Sequence, residues 1–179
     1  HPRISISGRW IMIVYLLITV LCAVSLRLCG MGVFDSINHA LTTAATGGFS
    51  TKNASIAYFN SHTIEYVITF FMFLSGINYG LLFFVAFRGQ IRKLIEDTQF
   101  KWYVMFLILF TAIVGIGLFI STPYNASASL RNALFHVTAI ITTTGFTSTD
   151  YTLWPPFIWM ILGLCFYFGA CAGSTTGGI

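Results

Sequence analysis

The sequence predicts an all-α integral membrane fold made of repeated helix–re-entrant loop–helix units. Three observations carry this expectation. Only 8% of the 179 residues are charged, 56% are hydrophobic and 17% aromatic, whereas a soluble domain carries about 25% charged residues. The apolar residues gather in four long runs. The chain also superposes on itself without a gap when shifted by 97 positions, and long register of this kind is the mark of a repeated unit.

The four runs are Trp10–Leu26, Ile64–Phe87, Trp102–Ile120 and Phe157–Cys171. A spanning helix needs roughly 20 apolar residues, which the first three approach; the fourth is shorter and runs into glycines. Inside a bilayer only helices and closed barrels satisfy the backbone. These runs are too long and too evenly apolar for the alternating strands of a barrel, so helices are expected.

The 9 Lys+Arg and 5 Asp+Glu give a formal net charge of +4. The basic residues are scattered between apolar runs rather than gathered in a stripe, which sets nucleic acid aside as a partner. Arg3, Arg9, Arg88, Arg92, Lys93 and Lys101 flank one side of the expected spans; Arg27, Lys52 and Arg131 fall on the other. The excess of positive charge places the N-terminus and the connection from Phe87 to Trp102 in the cytoplasm. Arg27, at the outer end of its helix, can snorkel to the headgroups. The run Trp10–Leu26 lacks the small-residue cleavage site of a signal peptide. The chain starts His1-Pro2-Arg3 and stops at Gly177-Gly178-Ile179, so a piece of a longer protein is expected.

Cys22 and Cys29 lie seven residues apart on one expected helix, about 10 Å by helical rise and too far to bridge. Together with Cys165 and Cys171 they are expected to fill space, and their spacing makes no metal site.

Two segments between the runs are too short to cross and too apolar for ordinary loops: Phe34–Thr46 and Arg131–Thr143. Each would make a helix of about 20 Å, well short of the hydrocarbon thickness. Each leads into glycine and a polar return, Gly47-Gly48-Phe49-Ser50-Thr51 and Gly145-Phe146-Thr147-Ser148-Thr149. The shift of 97 places His39 on His136, Thr46 on Thr143, Gly48 on Gly145, Phe49 on Phe146, and later Gly76 on Gly173 and Gly80 on Gly177. Asp35 falls on Asn132, both expected as caps near a helix start.

Irregular backbone at membrane depth survives only where protein buries it or where it lines a watery cavity. A short helix entering the membrane presents its carbonyl end there, with partial negative charge that favours cations. Glycine allows conformations that aim successive carbonyls at one axis, and carbonyls so arranged replace an ion's hydration shell. The residues alone therefore lead to helix–pore loop–helix units around a central ion pore. Phe49 and Phe146 are expected to pack behind the turns. His39 and His136, as equivalent positions, are expected to hold the short helices by hydrogen bonds rather than to relay protons. Asp35, Glu65 and Asp150 would either charge an outer vestibule or lie on solvated surface.

At Thr46-Gly47-Gly48-Phe49-Ser50-Thr51, Ser75-Gly76-Ile77-Asn78-Tyr79-Gly80, Thr142-Thr143-Thr144-Gly145-Phe146 and Gly169-Ala170-Cys171-Ala172-Gly173-Ser174-Thr175-Thr176-Gly177-Gly178, the chain resembles the Trk/Ktr superfamily of K⁺ uptake proteins, on the side of the Trk-type membrane subunit. The likeness runs along essentially the whole chain. It implies four pore repeats in one polypeptide, with one shared filter glycine per repeat. This chain would hold the second and most of the third.

On that resemblance, residues 1–87 form the second repeat, with a first helix over 10–28, a pore helix over 34–46, a filter over 46–49 and a second helix over 62–87. Residues 88–101 form a cytoplasmic connection. Residues 102–179 form the third repeat, with a first helix over 102–120, a pore helix over 131–143, a filter over 143–146, a second helix over 155–168 and an intramembrane gate loop over 169–179. The implied ion-binding filter residues are Thr46, Gly47, Gly48, Thr143, Thr144 and Gly145, with K⁺ bound only at carbonyls of the filter. The implied gate residues are Gly169, Gly173, Ser174, Thr175, Thr176, Gly177 and Gly178.

K⁺ would be the transported ion, with no covalent cofactor. The resemblance further implies a multi-pass protein of the bacterial inner (plasma) membrane. Its expected partners are the lipid bilayer, a second copy of the full-length chain in a homodimer, and a cytosolic nucleotide-binding regulatory subunit.

Two other classes compete with this reading. An intramembrane serine protease would need a base within hydrogen-bond reach of Ser174, and nothing in the sequence aligns His39 or His136 with it. A secondary cation transporter with broken helices often uses inverted repeats, whereas a unit containing two spans keeps its orientation. The segment Gly173–Gly178 also lacks the lysine of a phosphate-binding loop. A non-enzymatic ion pathway is the expectation.

Overall fold

The computed structural model describes residues 2–176, with no strand among them. Eight α-helices follow one another: α1 Pro2–Leu28, α2 Val33–Ala44, α3 His62–Ser75, α4 Tyr79–Arg88, α5 Ile91–Glu96, α6 Thr98–Ser121, α7 Ala126–Ile141 and α8 Pro156–Cys165. Two of them are long and apolar enough to cross a membrane alone, Gly8–Leu28 within α1 and Thr98–Ser121.

The expected single helix over 62–87 is two helices, α3 and α4, bent by 105°. The physical reason lies at Gly76-Ile77-Asn78. The Asn78 side chain accepts from the N–H groups of Gly80 and Leu81 and so caps a new helix start, as asparagine does well. A β-carbon on Gly76 would lie 2.6 Å from the Tyr103 hydroxyl, so only glycine lets α6 cross so close.

Other boundaries also differ. α7 begins at Ala126, five residues before the expected Arg131, because Asn125 accepts from Ala128 N–H at 2.8 Å and caps the helix there. Asn132 is thus a buried residue inside the helix rather than a cap, and Asp35 caps nothing: it accepts from the Thr51 hydroxyl at 2.6 Å and pairs with Lys52 at 3.4 Å. α8 stops at Cys165 rather than 168. The connection 88–101 contains α5, and Asp97 caps the start of α6 within it.

Two cores form, one for each unit. The first joins α1, α2 and α3 through Val14, Ile18, Cys22, Leu26, Ala40, Ile68 and Met72, and it takes in Phe135, Ala139 and Phe146 from the second unit. The second joins α6, α7 and α8 through Tyr103, Val114, Leu118, Ala133, Val137 and Ile158, and it takes in Ile77 from the first. The units are therefore interlocked. The outer faces of α1 and α6 leave Leu16, Val20, Val24, Ile108, Ile116 and Phe119 exposed, the pattern of helices whose solvent is lipid tails.

Candidate functional site

Each short helix ends in the same backbone conformation. After α2, Thr46 and Gly48 have φ of 51° and 64°; after α7, Thr143 and Gly145 have φ of 54° and 79°. Gly48 N–H donates to Thr42 O, and Gly145 N–H donates to the equivalent Ala139 O. The second residue past each helix, Thr46 or Thr143, therefore turns left-handed in both units, which costs a β-branched threonine about 1–2 kcal/mol. Such strain persists only where surroundings fix it, and it gathers at functional sites.

The two turns touch. A β-carbon on Gly48 would collide with the Thr144 carbonyl oxygen, while a β-carbon on Gly145 would meet nothing within 4 Å. The Thr144 hydroxyl is turned away, 2.9 Å from the Thr142 hydroxyl; what Thr144 presents to Gly48 is its carbonyl. Thr143, Gly145 and Gly47 are exposed, and Gly48 half-buried. The C-terminal ends of α2 and α7 both bring partial negative charge to these turns.

Behind the turns the two histidines act as expected of structural groups. His39 Nδ1 donates to Asp35 O at 2.7 Å, and Nε2 accepts from the Ser50 hydroxyl at 2.9 Å, tying the return segment to α2. His136 Nδ1 donates to Asn132 O at 3.0 Å, and its ring meets Trp154 edge to face at 4.7 Å. Phe146 is buried and stacks on His39, 5.8 Å between centroids. Phe49 differs from expectation: it is 76% exposed. Phe146 packs against the short helix of the unit before it, and the described residues contain no unit ahead of Phe49.

The acidic residues are not a vestibule charge as a group. Glu65 is buried, its Oε2 accepting from Arg131 Nε at 2.8 Å. Asp35 is half-buried against Thr51 and Lys52. Asp150 is exposed and accepts from the Thr152 N–H and hydroxyl.

Residues 166–176 leave the helical path, as the glycines predicted from Gly169 onward but starting three residues earlier. Of the equivalent stretch in the first unit, residues 69–79, Thr69–Ser75 stay in α3 and the break comes only at 76–78. The difference is local: Gly169 stands where the first unit has the buried Met72, so helix propensity and a packing anchor are both lost.

The unwound loop docks on the α3–α4 break. Cys171 N–H donates to Gly76 O, and Tyr79 N–H donates to Gly173 O. Asn78 Nδ2 donates to Ala172 O at 2.8 Å, and the Thr175 hydroxyl donates to Ser75 O at 3.3 Å. The loop also reaches up to the turns: the Thr143 hydroxyl donates to Thr176 O at 3.4 Å, and the Thr46 hydroxyl shares its proton between Ala45 O at 2.8 Å and Thr175 O at 3.2 Å. Ser174 donates to Cys171 O and lies 2.6 Å from the Thr176 hydroxyl. Gly177 and Gly178 lie outside the described residues.

Sequence reasoning missed Asn78, Tyr79 and Ser75 as partners of the loop. A signal was present, since asparagine followed by glycine two residues later is polar punctuation inside an apolar run.

Apolar helices enclosing two re-entrant, glycine-turned loops above an unwound segment define a multi-pass membrane protein of the pore-loop class. The family described as TrkH, cation transport protein, matches residues 1–179, and the chain belongs to that family. It is 36% identical, over its whole length, to the Trk system potassium uptake proteins TrkH of Salmonella typhimurium and Escherichia coli. It is 33% identical over 99% of its length to the TrkH of Halomonas elongata. The chain spans about 37% of the length of these relatives. The crystal structure of the potassium transporter TrkH from Vibrio parahaemolyticus matches with a TM-score of 0.93 and 35% identity, over 99% of this chain and 39% of that one.

Proposed function

We propose that the full-length protein carries K⁺ across the bacterial inner membrane through a filter of backbone carbonyls, and that residues 169–179 gate it. The observation that carries this reading is the pairing of two equivalent left-handed turns, Thr46–Gly48 and Thr143–Gly145, which meet at Gly48 and Thr144 above a loop bonded to both threonines.

Carbonyls at a turn of this kind replace the water around a dehydrated cation. The helix ends behind them add negative potential. Thr46, Gly47, Gly48, Thr143, Thr144 and Gly145 supply two sides of a four-sided ring, and two further repeats of the full chain supply the rest. The loop hangs beneath the ring by the hydroxyls of Thr46 and Thr143, so it would block the path below. Ion passage then requires its displacement. Phe49, by analogy with Phe146, would pack on the pore helix of the preceding repeat.

Family resemblance adds a homodimer of full-length chains and a cytosolic nucleotide-binding regulatory subunit. The connection 88–101 offers a basic surface at Arg88, Arg92 and Lys93 for contact with such a subunit or with anionic lipid. No catalytic role is assigned: the Ser174 hydroxyl bonds within its own loop, and both histidines bond their own helices. A broken-helix secondary transporter finds some support in the 105° bend between α3 and α4. The same-direction repeat weighs against it.

The test is radiolabelled Rb⁺ uptake into liposomes by the full-length protein, comparing wild type with Gly48→Ser and Gly145→Ser. Uptake that Gly145→Ser abolishes, where a side chain has room, or that either substitution opens to Na⁺, supports the carbonyl filter. Unchanged uptake and selectivity in both variants removes these turns from the ion path.

A further inference from the structure

The bend between α3 and α4 is held by one side chain that also holds the loop. Asn78 Oδ1 accepts from Gly80 N–H at 2.8 Å and Leu81 N–H at 3.4 Å, fixing where α4 starts. Its Nδ2 donates to Ala172 O at 2.8 Å. The amide orientation follows from chemistry: reversed, it would set NH₂ against two N–H groups and carbonyl against carbonyl. Gly173, with φ of 79°, lies directly against it, and a β-carbon there would stand 2.8 Å from Nδ2. The main chain on either side adds Cys171 N–H to Gly76 O and Tyr79 N–H to Gly173 O.

The face of the loop towards α6 is only partly packed, by Phe168 on Phe106 and Phe110 and by Ala170 and Cys171 in the core with Tyr103. A cavity of about 260 Å³ separates residues 167–172 from the start of α6, bounded by Thr98, Gln99 and Tyr103. The loop is thus hydrogen-bonded on one side and borders both apolar contacts and open space on the other.

We infer that Asn78 is the positioning residue that latches residues 171–173 in the blocking position, and that it couples the loop to the direction of α4. The inference rests on the reading of this loop as the gate. Because one amide serves both the helix start and the loop, a swing of α4 moves the donor away from Ala172. α4 runs into the connection 88–101 within ten residues of Asn78, so a force applied there acts on the latch with little slack. Asn78 touches no ion in this role; it acts through the loop.

The experiment uses the full-length protein in liposomes. Asn78→Asp keeps the acceptor that caps α4 and removes the donor to Ala172. Gly173→Ala pushes the loop from the other side. Asn78→Ser, which retains a capping hydroxyl, guards against a failure specific to an added charge. Two readouts run together: Rb⁺ uptake with its Rb⁺/Na⁺ ratio, and maleimide labelling of the buried Cys171 followed by peptide mass spectrometry.

The expected result is that Asn78→Asp raises uptake about two- to tenfold, the range one neutral hydrogen bond sets, with unchanged ion ratio and faster Cys171 labelling. Faster labelling with unchanged uptake upholds the latch and overturns the gate. Unchanged labelling in all three correctly folded variants overturns the latch, whatever the uptake does.

Discussion

Arg131 Nε donates to Glu65 Oε2 across 2.8 Å, joining α7 of one unit to α3 of the other with side chains only 15% and 7% exposed. Both charges have left water, and each depends on the other for compensation. Arg131→Met should therefore destabilise the full-length protein by about 3–5 kcal/mol, because Glu65 is left buried and unpaired. Replacing both, as Arg131→Met with Glu65→Leu, should restore most of the loss. Thermal unfolding in detergent reads the difference; a double variant no better than the single one would show that the pair is not the source of the effect.

The Thr46 and Thr143 hydroxyls hold consecutive loop carbonyls. Valine keeps their shape and removes only the donor. Thr143→Val should raise Rb⁺ uptake about two- to tenfold, as expected for one neutral hydrogen bond. The Rb⁺/Na⁺ ratio should stay constant, since the filter carbonyls belong to the main chain. A changed ratio would mean that the hydroxyl itself contacts the ion.

Gly76 faces the Tyr103 ring closely, with Oη 2.6 Å and Cζ 2.9 Å from the place of a β-carbon. Gly76→Ala should destabilise by about 1–3 kcal/mol through overpacking. Tyr103→Phe in the same chain should recover part of it by removing the nearer atom. The coupling, measured by a double-mutant cycle on thermal midpoints, should be clearly non-additive.

Asp35 at the outer end of α2 accepts from the Thr51 hydroxyl and pairs with Lys52, and these hold its carboxyl below the usual range. A carboxyl with a depressed folded pKa stabilises the fold above its unfolded pKa of about 3.9, and that contribution is lost as pH falls through the lower folded value. Wild type should thus melt above Asp35→Asn at pH 5 and higher. The gap should close below pH 4, and a gap independent of pH would exclude the ionised carboxylate as its cause.

The short helices, the glycine turns that follow them and the unwinding near Gly169 were legible because glycine and a repeat of 97 positions mark them; the left-handed conformations of Thr46 and Thr143 were not. The α3–α4 break was not, since Ile77 and Tyr79 continue the apolar run on either side of Asn78. Composition weighs such a run as one helix, whereas the bend is fixed by tertiary partners: Tyr103 over Gly76 and the loop against Asn78. Glu65 was misjudged for the same reason. Its partner Arg131 lies 66 positions away, and no local pattern reports that distance.

The interlocked cores bear on how the chain is made. Phe135, Ala139 and Phe146 complete the hydrophobic cluster around α1, α2 and α3, yet the ribosome adds them only after α6 has been synthesised. Until then α1 and α3 already pack against α2, but His39 lacks the stacked ring of Phe146. The first re-entrant helix can therefore dock on α1 and α3 as they leave the translocon, yet its core stays incomplete until α7 follows. Sequential insertion is thus followed by a last packing step that the two units share.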